Sequence, residues 1–184
     1  QDAFRKAWQT EGFLTREHEE LRYQEGLQAL SEFYTHAQAE EATPTYIEQH
    51  FSFIDSGVKI VGVFDRIDIP NVNRPQDGLI IDYKTSQVKS QEEAEKKTKA
   101  SRQLAIYALA YEHLFNALPS ALEQRFITQK LIIGRSAPTE KALDRARSEI
   151  ERAAKGIRAG RFPAEPSYFA CSYCPYRAIC PAKK

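Results

Sequence analysis

The stretch Val58-Lys-Ile-Val-Gly-Val-Phe-Asp65-Arg-Ile-Asp68-Ile69, the loop from Pro70 to Gly78, and Leu79-Ile-Ile-Asp82-Tyr-Lys84-Thr85 decide the fold. The two outer runs are rich in β-branched residues, and the loop between them is Pro, Asn, Asp and Gly, so they read as antiparallel strands around a turn. A hairpin centred near Asn73 and Arg74 places Asp65 opposite Asp82. Side chains alternate along a strand, so Val61, Val63, Asp65 and Ile67 are expected on one face, with Asp65 interrupting an apolar row. Ile80, Asp82 and Lys84 share a face of the second strand. Arg66 and Asp68 fall on the other face of theirs and read as a structural ion pair.

Opposed side chains in a hairpin have Cβ atoms ~5 Å apart. Two carboxylates at that separation repel, and one titrates high unless a cation lies between them. A divalent ion relieves the repulsion, and hard oxygen ligands suit Mg²⁺ or Mn²⁺. Glu48, on a strand over residues 46–54, is a candidate third carboxylate. The rival reading is a surface hairpin with ordinary salt bridges, because Asp-x-Lys alone is a weak signal.

Working outward, Asp55-Ser56-Gly57 is turn chemistry, so residues 46–85 form a three-stranded meander. Residues 1–40 carry apolar residues at helical spacing (Phe4, Ala7, Trp8, then Leu21, Leu27, Leu30, Phe33, Tyr34), and Thr43-Pro44 ends that pattern. Residues 91–116 read as one helix with Leu104, Tyr107, Ala108, Tyr111 and Phe115 along a stripe. Residues 125–134 read as one further strand. Residues 138–159 read as a helix burying Leu143, Ile150 and Ile157, with Gly160 as its cap. This order predicts a mixed α/β (α+β) domain, a central sheet flanked by helices. Residues 1–184 make one domain, with a helical part at 1–45, a core at 46–159 and a cysteine-containing tail at 160–184.

A net charge of +1 gives no bulk electrostatic case for nucleic acid, so phosphate contacts must be local. Lys96, Lys97, Lys99 and Arg102 form one such cluster, leading into the helix that starts the Leu104 stripe. No apolar run reaches the ~18 residues of a membrane span, and no secretory leader is visible, so a cytoplasmic location is expected. The chain starts at Gln1 and contains no Met, which suggests an excised or processed fragment. Its three cysteines, Cys171, Cys174 and Cys180, are clustered and odd in number, which suggests an intracellular metal site rather than a disulfide framework. A zinc site completed by a histidine and three plain reduced thiols are the alternatives.

Gly62-Val-Phe-Asp65-Arg-Ile-Asp68, Ile81-Asp82-Tyr-Lys84-Thr85 and Gln103-Leu-Ala-Ile-Tyr107, in this order, resemble the RecB-like branch of the PD-(D/E)XK nucleases. Cys171-Ser-Tyr-Cys174-Pro-Tyr-Arg-Ala-Ile-Cys180 resembles that branch's C-terminal iron–sulfur signature. The resemblance implies a restriction-endonuclease-like core and Mg²⁺- or Mn²⁺-dependent cleavage of DNA. It implies that Asp65 and Asp82 hold the metal and that Lys84 activates water or stabilises charge. Glu48 would be the early acidic residue, and Gln103 and Tyr107 would reach one phosphate. It further implies a [4Fe–4S] cluster on the three cysteines plus a fourth lying before Gln1. A helicase motor in the same or a partner polypeptide would feed single-stranded DNA ends during repair or recombination. The branch's early histidine ligand matches neither His18 nor His36 and is expected before Gln1 as well. Two alternatives are a non-catalytic DNA-end-binding module of this fold and a stand-alone CRISPR-associated exonuclease.

Overall fold

The computed structural model describes residues 1–40 and 42–183. In chain order it has α1 (Asp2–Ala7), α2 (Arg16–Ala39), β1 (Tyr46–Asp55), β2 (Val58–Asp68), a 3-10 turn (Pro75–Asp77), β3 (Leu79–Lys84), α3 (Gln91–Lys99), α4 (Arg102–Phe115), β4 (Ala121–Ile127), β5 (Leu131–Ser136), α5 (Glu140–Arg158) and α6 (Tyr168–Ser172). The five strands form one sheet in sequence order. All neighbours are antiparallel except β3 and β4. A parallel pair needs a crossover connection, and α3 and α4 supply it. The fold is thus the mixed α/β sheet flanked by helices that the sequence predicts.

Asp82 and Tyr83 are consecutive on β3 and point to opposite faces. Gln103 of α4 reaches the Lys84–Asp82 pair, whereas Phe33 of α2 meets the Tyr83 ring edge-on at 5.5 Å. So α4, with α5 beside it, covers one face and α2 covers the other. On the α4 face Phe51, Phe64, Ile67, Ile80, Tyr107 and Tyr111 form the centre of the core. The α2 face is held by ions instead. Arg66 clamps Asp68 with two bonds of 2.7 Å, as the sequence reading expects, and both Arg66 and Arg125 reach Glu40 after the last turn of α2.

Four expectations are corrected. The helix at 91–116 is two helices, because the Ser101 hydroxyl accepts the Leu104 N–H and caps a new one. The strand at 125–134 is a hairpin that begins at Ala121 and turns at Thr128–Lys130. Its first strand is buried on both faces and carries Glu123, Gln124 and Arg125 there, so no apolar alternation marks it. Val61 is 67% exposed, while Phe64 and Ile67, three residues apart, both enter the core. Strict alternation forbids that, so β2 switches faces between them. Opposite the switch, Glu48 of β1 has φ 50°. Finally, Ile157 of α5 and Leu21, Leu30 and Tyr34 of α2 are exposed, so those helices bury narrower stripes than their sequences suggest.

Candidate active site

β2 and β3 pair at Asp68–Leu79, Ile67–Ile80 and Arg66–Ile81 and then part. The next residues in that register are Asp65 and Asp82, so the two acids stand where the sheet forks. On the other side, β1 pairs with β2 at Ile47–Arg66 and Gln49–Phe64, which leaves Glu48 level with Asp65. β4 sets Gln124 beside Asp82. One row across four strands therefore reads Glu48, Asp65, Asp82, Gln124. At the fork the backbone ladder is replaced by a side chain, since Asp65 Oδ2 accepts the Tyr83 N–H at 2.8 Å.

Asp82 is 1% exposed. Its Oδ2 pairs with Lys84 Nζ at 2.7 Å and accepts from Gln124 Nε2 at 3.1 Å. Its Oδ1 is buried with no hydrogen-bond partner. Burial pushes the Asp82 carboxyl above its ordinary range; Lys84 and Gln124 pull it back, and the Asp65 charge adds to the rise. A buried carboxylate oxygen without a partner is costly, so this atom is suited to a cation.

The i,i+4 pair on α4 extends the site. Lys84 Nζ donates to Gln103 Oε1 at 2.7 Å, and Gln103 Nε2 donates to Tyr107 Oη at 2.8 Å. Tyr107 packs on Phe51 and Phe64 and is buried. Burial holds its hydroxyl above the usual range, and the charges of Asp65, Asp82 and Glu48 push the same way. All three carboxylates thus act on one phenol. Asp82, Lys84, Gln103 and Tyr107 are linked in one chain of contacts, with Asp65 across the fork and Glu48 level with it. Gln124 is the site residue that the sequence reading missed; only its place beside Asp82 across the parallel pair would have found it.

A family model for the PD-(D/E)XK nuclease superfamily matches residues 1–181. The chain belongs to that superfamily. No curated protein sequence matches it. Nucleases of the PD-(D/E)XK superfamily typically use divalent metal ions and act on DNA, and the residues at this fork fit such an ion. Among the described residues no three His, Cys, Asp or Glu side chains gather as a complete metal cage. Mg²⁺ does not need one: it commonly takes one or two carboxylates and fills its shell with water and substrate phosphate. Asp65 and Asp82 with the unpartnered Oδ1 match that pattern.

Around this PD-(D/E)XK fork, the basic cluster is partly spoken for. Lys97 pairs with Glu93 at 3.0 Å and Arg102 with Glu149 at 3.1 Å. Lys96 and Lys99 are exposed and make no ion pair among the described residues. His18 packs edge-on against Phe13, and His36 lines a groove of about 920 Å³ with Lys89 and Glu93, so neither is placed with the acids. In the tail Cys171 is buried, Cys174 and Cys180 are half-buried, and all three are free thiols. Three thiols on one short segment do not by themselves complete a four-ligand cluster. No helix of the described residues is long and apolar enough to cross a membrane.

Proposed function

We propose that this chain hydrolyses phosphodiester bonds of DNA as an exonuclease-type module, with Asp65 and Asp82 as ligands of Mg²⁺ or Mn²⁺ and Glu48 as a further acidic group. The observation that carries the reading is Asp82 Oδ1, a buried carboxylate oxygen with no partner beside a second acid and a lysine. A divalent ion bound there supplies Lewis acidity and lowers the pKa of an attacking water. Lys84 holds a positive charge at Nζ where negative charge develops on phosphate. Gln103 orients Lys84 through its Oε1, and Tyr107 fixes the Gln103 amide from its other end. Burial of Tyr107 against Phe51 and Phe64 keeps that relay in place.

Lys96 and Lys99, together with Lys97 and Arg102, lie at and just before the N-terminus of α4, which carries Gln103, and would steer phosphates to it. The resemblance to the RecB-like branch supports single-stranded ends fed by a helicase motor, as part of DNA repair or recombination, and a cytoplasmic location goes with that role. Cys171, Cys174 and Cys180 would hold a [4Fe–4S] staple completed by a fourth thiolate from elsewhere.

The test is degradation of end-labelled single-stranded and duplex oligonucleotides with Mg²⁺, with Mn²⁺ and with chelator. Metal-dependent shortening from one end is expected. Lys84→Ala should slow it by roughly 10²–10³-fold, the scale on which one preorganised electrostatic group acts. A wild-type chain that leaves every substrate intact under all metals would remove the reading.

A further inference from the structure

Gln124 lies on β4 next to Asp82 and is 6% exposed. Its Nε2 donates to Asp82 Oδ2 at 3.1 Å and stands 3.5 Å from Ser101 Oγ. Its Oε1 stands 3.5 Å from Thr98 Oγ1. Ser101 Oγ also accepts the Leu104 N–H at 3.2 Å, as the N-cap of α4. The amide thus ties the Asp82 carboxylate to the start of the helix that carries Gln103 and Tyr107.

Both donors that Asp82 receives land on one oxygen. Lys84 approaches Oδ2 along β3 and Gln124 approaches it from β4, while Oδ1 receives none. Two donors from different strands fix the plane of the carboxylate. Lys84 is the less constant of them, since a lysine is a point charge on a flexible four-carbon stem and its side chain is 29% exposed. When Lys84 turns toward a phosphate, Oδ2 keeps only Gln124.

We propose that Gln124 is a positioning residue: it holds Asp82 Oδ2 against β4 and the Ser101 cap, and so keeps Oδ1 directed at the fork for a divalent cation. The inference rests on the metal-dependent reading above. A merely structural glutamine would support the fold and leave the cation's affinity alone.

The experiment is Mn²⁺ binding to the full chain, read from the electron paramagnetic resonance signal of free Mn²⁺, with melting in chelator recorded for each variant. Gln124→Met, close in size and without a donor, should bind Mn²⁺ about 10–100-fold more weakly, the usual effect of losing a partner behind a metal ligand. Ser101→Gly removes the hydroxyl but leaves a residue that is nearly as good an N-cap, and should weaken binding several-fold. Gln124→Met with wild-type affinity, alongside Asp82→Asn with none, overturns the inference and leaves the metal reading standing. Wild-type affinity in Asp82→Asn overturns both. Should Gln124→Met fail to fold, Ser101→Gly decides, and wild-type affinity there overturns the inference.

Discussion

Asp65 Oδ2 accepts the backbone N–H of Tyr83 at 2.8 Å, so a candidate metal ligand on β2 also stitches β3 just beyond the last pair of their ladder. The two duties are separable. Asp65→Asn keeps an oxygen acceptor for that N–H while removing the charge. It should melt near the wild type in chelator yet cleave DNA roughly 10²–10³-fold more slowly. Asp65→Ala leaves a half-buried N–H without a partner, which costs about 1–3 kcal/mol. For a domain of this size that lowers the melting temperature by roughly 2–4 °C per kcal/mol. Equal melting of the two variants would show that the bond to Tyr83 carries no weight.

Asp82 is buried with one carboxylate oxygen unpartnered, at a cost to the fold. Its carboxyl sits above the ordinary range because burial disfavours the charge. A carboxyl whose folded pKa is raised favours the folded state most at low pH, below the ordinary value of 3.8, and that contribution is lost as pH rises through the folded value. At neutral pH without metal, the burial of Asp82 therefore counts against the fold. Asp82→Asn should melt higher than the wild type in chelator at pH 7 and lose Mn²⁺ binding and cleavage. Added Mn²⁺ should raise the wild-type melting temperature and leave the variant's unchanged. A variant that melts lower in chelator would mean that the Lys84 pair outweighs desolvation.

The hairpin was legible because its turn residues and apolar runs fix one register, and that register places Asp65 and Asp82 together at the fork. Gln103 and Tyr107 were singled out by the family resemblance, and their i,i+4 spacing on one helix face accounts for the bond between them. Gln124 was not, since its neighbour Asp82 lies 42 residues away across a parallel pair that only the α3–α4 crossover creates. The face switch at Asp65 was hidden for a different reason. Nothing in Val-Phe-Asp-Arg-Ile signals a break in alternation, and the residue level with it, the left-handed Glu48, lies on another strand. The ionic face under α2 escaped notice because Glu40, Arg66 and the Glu123–Arg125 pair are far apart in sequence and such residues are ordinarily solvated.

That ionic face makes a third prediction. Glu40 accepts from both Arg66 and Arg125, at 3.2 Å and 2.7 Å, and closes α2 onto the sheet. Burial alone would push its carboxyl up, but Arg125 and Arg66 outweigh it and hold it below 4.5. A depressed carboxyl stabilises the fold above its unfolded value, and that stability is lost as pH falls through the folded value. Glu40→Gln should cost about 1–3 kcal/mol at pH 7, the range of a charge-assisted bond, and the difference from wild type should close as pH drops below about 4. Arg125→Met should cost more, roughly 3–5 kcal/mol, because it also leaves the buried Glu123 with only its 3.5 Å contact to Arg135. Chemical denaturation at several pH values measures both. A Glu40→Gln deficit that persists unchanged into acid would place its origin in packing rather than charge.

The cysteine tail yields the last prediction. Cys174 N–H reaches the Cys171 carbonyl at 3.5 Å, and Cys180 N–H reaches the Tyr176 carbonyl at 2.9 Å, so the backbone curls through successive turns. Hydrophobic burial does little for the segment, since Tyr168, Phe169, Tyr173, Tyr176 and Ile179 are all exposed. If thiolates bind a metal centre, that binding is folding free energy for the tail. Anaerobic reconstitution of the full-length protein with iron and sulfide should give a brown product with thiolate-to-iron absorbance, and Cys174→Ala should abolish the colour. Limited proteolysis between residues 162 and 183 should be slow in the brown form and fast in the variant. The nuclease fork lies on other elements, so Cys174→Ala should keep Mn²⁺ binding at Asp82. A colourless product holding one zinc per chain would assign the tail a structural zinc site. A colourless product with no metal and the same proteolysis rate as Cys174→Ala would leave the three residues as plain thiols.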